Sequence, residues 1–104
     1  MDKDNSVAYK DSGNRKEFSS GALRDRPIGK GMFHLISFIG LRRLALRHEV
    51  GSLKYGDGRN WEKGMPISNF IDSALRHICD YMDGKDDEDH LAAAVWNLMC
   101  IMQM

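Results

Sequence analysis

The residues best suited to chemistry in this chain are carboxylates, amides and cations at helical spacing. Asp89 stands in the first turn of the last helix that the pattern predicts, with Ala93 and Asn97 at i+4 and i+8 on the same face. Ala92, Ala93 and Ala94 keep that surface low, so a carboxylate and an amide flank a shallow patch that can hold a metal-bound phosphate or a sugar. The plainer account is an acidic helix cap followed by alanines that let two helices approach. Glu49, in HEVGSLKYG, is the only acid between Asp25 and Asp57, and it stands among Arg42, Arg43, Arg47 and Lys54. It reads as a surface ion-pair partner worth about 0–1 kcal/mol. Alternatively it meets Asp89 across a helix pair, making a hard-oxygen Mg²⁺ site.

A second group is Asp72, Arg76, His77 and Asp80. Asp72–Arg76 and Arg76–Asp80 are i,i+4 pairs, which a solvated ladder explains. The functional account puts Arg76 on phosphate and Asp72 near metal, with Asp80 orienting the His77 imidazole. A lone helical histidine is more often structural. In the loop GDGRNWEKG, residues 56–64, Trp61 beside Arg59 and Asn60 can stack on a base and hydrogen-bond its edge, or cover a core edge. Cys79, Cys100 and the four histidines show no familiar zinc spacing. A GxxxxGK[ST] phosphate loop, a GxSxG elbow and a helix-capped thiolate are all absent.

Three helices must position these groups. Leu41, Leu44, Leu46, Val50 and Leu53 predict a helix over 37–55, stopped by Gly56. Ser68, following Pro66, predicts the cap of a second helix, striped by Phe70, Ala74, Ile78 and Tyr81 and ended at Gly84. Asp86 or Asp87 caps the third, where Leu91, Val95, Leu98 and Met102 repeat. No strand is expected. Residues 1–20 read as a flexible polar arm, residues 21–36 as loop, and 21–104 as a single all-α domain. Three helices in 104 residues make a thin core, and the closing LMCIMQM is apolar on several sides. The expected architecture is therefore a helical bundle completed by homo-oligomerisation, after a loop-rich N-terminal region.

Composition narrows the function classes. With 42% hydrophobic and 29% charged residues the chain is globular. No apolar run could cross a bilayer, and the polar N-terminus carries no secretory signal. Two cysteines make no disulfide framework, so a cytoplasmic location is expected. Fifteen basic and fifteen acidic residues balance to zero, which argues against nucleic acid as partner. The charges are uneven: net +2 over 1–30, +3 over 31–63 and −5 over 64–104.

Together, KYGDGRNWEKG, DSALRH and DEDHLAAAVWN, in that order with short spacers, resemble the small phage-type dATP/dGTP diphosphohydrolase family over about residues 18–103. That family is similar to the MazG-like all-α nucleoside triphosphate pyrophosphohydrolases, helical bundles, dimeric or tetrameric, whose acidic residues on adjacent helices hold Mg²⁺. The resemblance implies that a purine deoxynucleoside triphosphate, dGTP or dATP, is cleaved to the monophosphate and pyrophosphate. In some phages that step supplies dGMP for DNA containing 2-aminoadenine. It implies Mg²⁺, with Mn²⁺ as substitute, on Glu49 and Asp89, the catalytic carboxylates, with Asp72 as a further ligand. Lys30, Lys54 and Arg76 would neutralise phosphate charge, Asn60, Trp61 and Asn97 would read base and sugar, and His77 would face substrate. The chain departs from the paired acids of the MazG pattern: Leu46 and Ser52 flank Glu49 three residues away, and Ala92 follows Asp89. Two other readings compete: a non-enzymatic helical interaction or regulatory module, and the same chemistry on a pyrimidine nucleotide.

Overall fold

The computed structural model describes residues 15–25 and 28–104. Most of the polar arm and Pro27 lie outside the described residues. The chain divides after Ile36 into two compact units.

In the first unit, Arg15–Glu17 (β1) and Leu23–Asp25 (β2) pair antiparallel, Arg15 opposite Asp25 and Glu17 opposite Leu23. Gly21, at φ +87°, makes the reversal and donates to the Phe18 carbonyl at 2.8 Å. This strand pair is a departure from the expected absence of strands. Its residues carry no apolar alternation, so backbone pairing and the Arg15–Asp25 ion pair at 3.1 Å stand in for a buried face. A short 3₁₀ turn, Phe33–Leu35, follows.

The second unit holds the three helices. Phe38–Tyr55 (α1) begins where Ser37 Oγ accepts from the Gly40 amide at 2.9 Å, and ends at Gly56 in the left-handed conformation, φ 71°. Ile67–Met82 (α2) starts at Pro66 rather than at Ser68. The extended Pro66 backbone sets the entry, and Ser68 falls inside the first turn without capping it. His90–Gln103 (α3) is capped by Asp89, whose carboxylate accepts from the Ala92 amide at 3.1 Å. Asp86 and Asp87, the expected caps, lie in the turn before it. No helix is long and apolar enough to cross a membrane among the described residues.

The α2–α3 pair forms a helical hairpin, and α3 also packs on α1. The core is small: Phe70, Ala74, Ala92, Ala93, Ala94 and Cys100, with His90 and Asn97 as its buried polar members. Burial pushes the Cys100 thiol up to about 11, which keeps it protonated and unreactive at neutral pH. Helix α1 buries no residue completely. Leu46, Glu49, Val50 and Leu53, spaced as one helical stripe, are all exposed. Ile71, Leu75 and Ile78 on α2 are exposed as well.

Candidate functional site

The loop after α1 is fastened by its own side chains. Asp57 Oδ1 accepts from the Arg59 amide at 2.8 Å, and its other oxygen pairs with Lys63 at 3.3 Å. The Arg59 amide and the Lys63 ammonium hold its carboxyl below the usual range. A hydrogen-bond chain then ties the loop to two helices. Trp96 Nε1 on α3 donates to His48 Nδ1 on α1 at 3.0 Å, and His48 Nε2 donates to the Gly58 carbonyl at 2.7 Å. Between them lies a pocket of about 190 Å³ lined by His48, Tyr55, Asn60, Trp61, Met65 and Trp96. Small-molecule sites commonly run to about 300–1,000 Å³, so this one has room for a ring system rather than a whole nucleotide.

Along the same α1–α3 seam, cations of α1 meet acids at the start of α3. Arg43 grips Asp89 with two hydrogen bonds, 2.8 and 2.6 Å, and Arg47 pairs with Glu88. The Arg43 guanidinium, aided by the Ala92 amide, holds the Asp89 carboxyl down at about 2. A lowered pKa contributes stability that is present above the unfolded value, near 4, and is lost as pH falls through about 2. Asp89→Asn keeps a good capping residue while removing the charge. The wild-type thermal midpoint should therefore drop more steeply than that of Asp89→Asn between about pH 5 and about pH 2. Parallel slopes in circular-dichroism melts would show that the pair adds nothing to stability.

Beside this seam, His77 and Asp80, one turn apart on α2, face His90 on α3. The two Nδ1 atoms are 3.0 Å apart, and Asp80 Oδ2 is 3.9 Å from His90 Nδ1. His90 Nε2 donates to Asp87 at 2.8 Å. Burial pushes the His77 imidazole down, against the pull of Glu88. His77, Asp80 and His90 form a triad that could hold a metal ion.

Compared with known protein families, residues 20–104 match the one described as dATP/dGTP diphosphohydrolase, N-terminal. The chain belongs to that family. Among curated proteins and solved structures, nothing matches. The family's description implies a diphosphohydrolase, a hydrolase acting on nucleotide anhydrides, and the match is to the part called N-terminal.

The expected site residues of this family member fall into separate places. Asn60 and Trp61 share the pocket. Arg76 pairs with Asp72 at 3.2 Å on the exposed face of α2, and His77 turns the other way, to His90. Asp89 caps α3 and holds Arg43. Asn97 is buried and donates to the Ala93 carbonyl of its own helix at 2.8 Å, so it faces the core. Lys54 lies over the Tyr55 ring, 5.4 Å from its centroid, and Lys30, in the first unit, pairs with Asp25 at 3.3 Å. Glu49 is exposed, and its side chain makes no hydrogen bond or ion pair among the described residues. It lies two residues beyond Arg47, about 160° round the helix from the face that meets Glu88. One chain therefore does not bring Glu49 to Asp89. The sequence reading placed Asp80 beside His77 but missed His48, Trp96 and His90 as members of these clusters. The i,i+3 spacing of His77 and Asp80 was the one signal that pointed to the cluster.

Proposed function

We propose that the chain hydrolyses a purine deoxynucleoside triphosphate, dGTP or dATP, to the monophosphate and pyrophosphate, acting as a homo-oligomer. The observation that carries this reading is the pocket lined by Trp61 and Asn60, on the loop that the Trp96–His48 relay fastens at Gly58, in a chain of the dATP/dGTP diphosphohydrolase family. Trp61 offers a face for a purine, and Asn60 offers a donor and an acceptor for its edge. From the pocket the α1–α3 seam leads to Arg47 and Arg43, and six residues of α3 separate Trp96 from His90, about 9 Å of helix. A triphosphate lying along that seam would meet guanidinium groups suited to bidentate phosphate contacts.

In the reaction water attacks the α phosphorus, the bond to the bridging oxygen toward the β phosphorus breaks, and pyrophosphate leaves with the electron pair. Asp89, ionised down to about 2, is a poor proton acceptor but a firm anchor for Arg43. Of the three expected carboxylates, Glu49 is the one whose side chain is left unpaired among the described residues, and it takes the water's proton. It stands in the exposed apolar stripe Leu46, Val50 and Leu53, so a second copy covering that stripe would carry Glu49 to an interface site. A divalent cation bound with the triphosphate would supply further charge neutralisation. The carboxylates Glu49, Asp72 and Asp89 do not converge in one chain, so the oxygen-only set that Mg²⁺ prefers is not gathered there. A dGMP product would suit synthesis of DNA carrying 2-aminoadenine.

The test is pyrophosphate release from each of the common deoxynucleoside triphosphates, with and without Mg²⁺ or Mn²⁺. Fastest release from dGTP or dATP is the expected result. Faster turnover of a pyrimidine nucleotide would move the substrate class. Orthophosphate as the product, or no turnover by the folded protein, would overturn the reading.

A further inference from the structure

The carboxylates expected to hold Mg²⁺ stay apart, yet a different donor set is gathered between α2 and α3. We propose that His77, Asp80 and His90 form a binding site for a first-row divalent transition metal, with Zn²⁺ its best-suited ion, independent of nucleotide. The site stands whether or not the chain hydrolyses nucleotides.

Three observations carry the inference. The first is the chemistry of the set: two imidazoles and one carboxylate suit zinc and its neighbours better than Mg²⁺. The second is proton placement. The short contact to the Asp87 carboxylate makes His90 Nε2 the donor, so the remaining proton of a neutral ring is spoken for and Nδ1 presents a lone pair. Metal-ligating histidines are commonly oriented by just such an outer carboxylate. The third is spacing. Two nitrogens bound tetrahedrally to zinc at 2.0–2.1 Å stand about 3.3 Å apart. The two Nδ1 atoms are 3.0 Å apart, and Asp80 Oδ2 is within the same small cluster.

Binding exchanges the His77–His90 hydrogen bond for two metal–nitrogen bonds, and the proton on His77 Nδ1 leaves to solvent or to Nε2. Asp80 keeps its Oδ1 on Lys85, at 3.2 Å, and offers Oδ2. The His90 side chain is only 3% exposed and the His77 side chain 12%, so both ligands are fixed by packing before the ion arrives. Three protein ligands leave a tetrahedral ion one open position, the arrangement that admits water or a phosphate oxygen. The site also joins helix α2 to the first residue of α3 across the acidic turn.

The full chain, stripped with a chelator, is titrated with Zn²⁺ by calorimetry, and with Co²⁺ by visible absorption, in the absence of nucleotide. One Zn²⁺ per chain, a rise in Tm and a tetrahedral Co²⁺ spectrum are expected, with Mg²⁺ far weaker. His77→Gln should weaken Zn²⁺ binding by more than about 100-fold, and Asp87→Asn by about 10- to 100-fold through its partner His90. Neither His77 nor Asp87 is itself fully buried, and unchanged helical circular dichroism confirms folding. No Zn²⁺ binding, or binding that both variants leave unaltered, would overturn the site.

Discussion

Trp61→Ala should raise KM for dGTP and dATP by about 5- to 150-fold while leaving kcat little changed. The magnitude follows from stacking, worth about 1–3 kcal/mol per base when an aromatic is truncated. Trp61 lies at the pocket wall, and in the proposed function it touches the base rather than the reacting phosphates, so its contacts act alike in the ground and transition states. Initial-rate measurements on the two nucleotides check this. The fold should survive, because Trp61 sits in a four-residue 3₁₀ turn, Asn60–Lys63, whose neighbours Asp57, Arg59 and Lys63 hold the loop by other contacts. An unchanged KM for both purines would remove Trp61 from base recognition and leave it as a cover for the loop.

Phe70→Ala should destabilise the protein by about 3–5 kcal/mol. Small domains have about 5–15 kcal/mol in all, so the loss is between a fifth and the whole. Phe70 is 1% exposed and one of the two largest fully buried side chains, and its ring lies 6.5 Å from that of Trp96. With so few large buried groups, nothing nearby can collapse into the cavity. Urea unfolding followed by circular dichroism measures the change, and a loss under about 1 kcal/mol would mean that the core lies elsewhere. Because Phe70 supports Trp96, the same variant should also loosen the pocket that Trp96 and Trp61 line.

What the sequence made legible was local. The apolar repeat placed α1 to within one residue of Phe38–Tyr55, and Gly56 stops it as expected, because both signals act within a few residues of themselves. The start of α3 was harder to read, since Asp86, Asp87, Glu88 and Asp89 follow one another and any of the aspartates can cap. The choice falls to Asp89, where the Ala92 amide and Arg43 of another helix meet one carboxylate. Tertiary contact decided it, and that is invisible in a run of acids. The strand pair had no apolar period to announce it. Asn60 and Trp61 could be picked out because turn chemistry keeps them adjacent. His48 and Trp96, 48 residues apart, could not. The same holds for His77 and His90, whose 13-residue separation matches no familiar ligand motif and is bridged by the reversal between helices. Each histidine by itself looked structural.

Helix α1 has no fully buried residue, and polar contacts dominate its seam with α3: Arg43 to Asp89, Arg47 to Glu88, and the indole–imidazole–carbonyl relay through His48. Such contacts are weakened by salt and acid far more than a packed apolar seam would be. The α2–α3 hairpin and α1 therefore constitute two tiers of opening energy within one short chain. Amide protons of α1 should exchange with solvent at the lower tier, and those around Phe70, Ala93 and Cys100, which are buried, at the upper one. The α1 wall of the pocket, His48 and Tyr55, hangs on the lower tier, so any ligand that bridges that wall and Trp96 is also a clamp that closes the gap between the tiers.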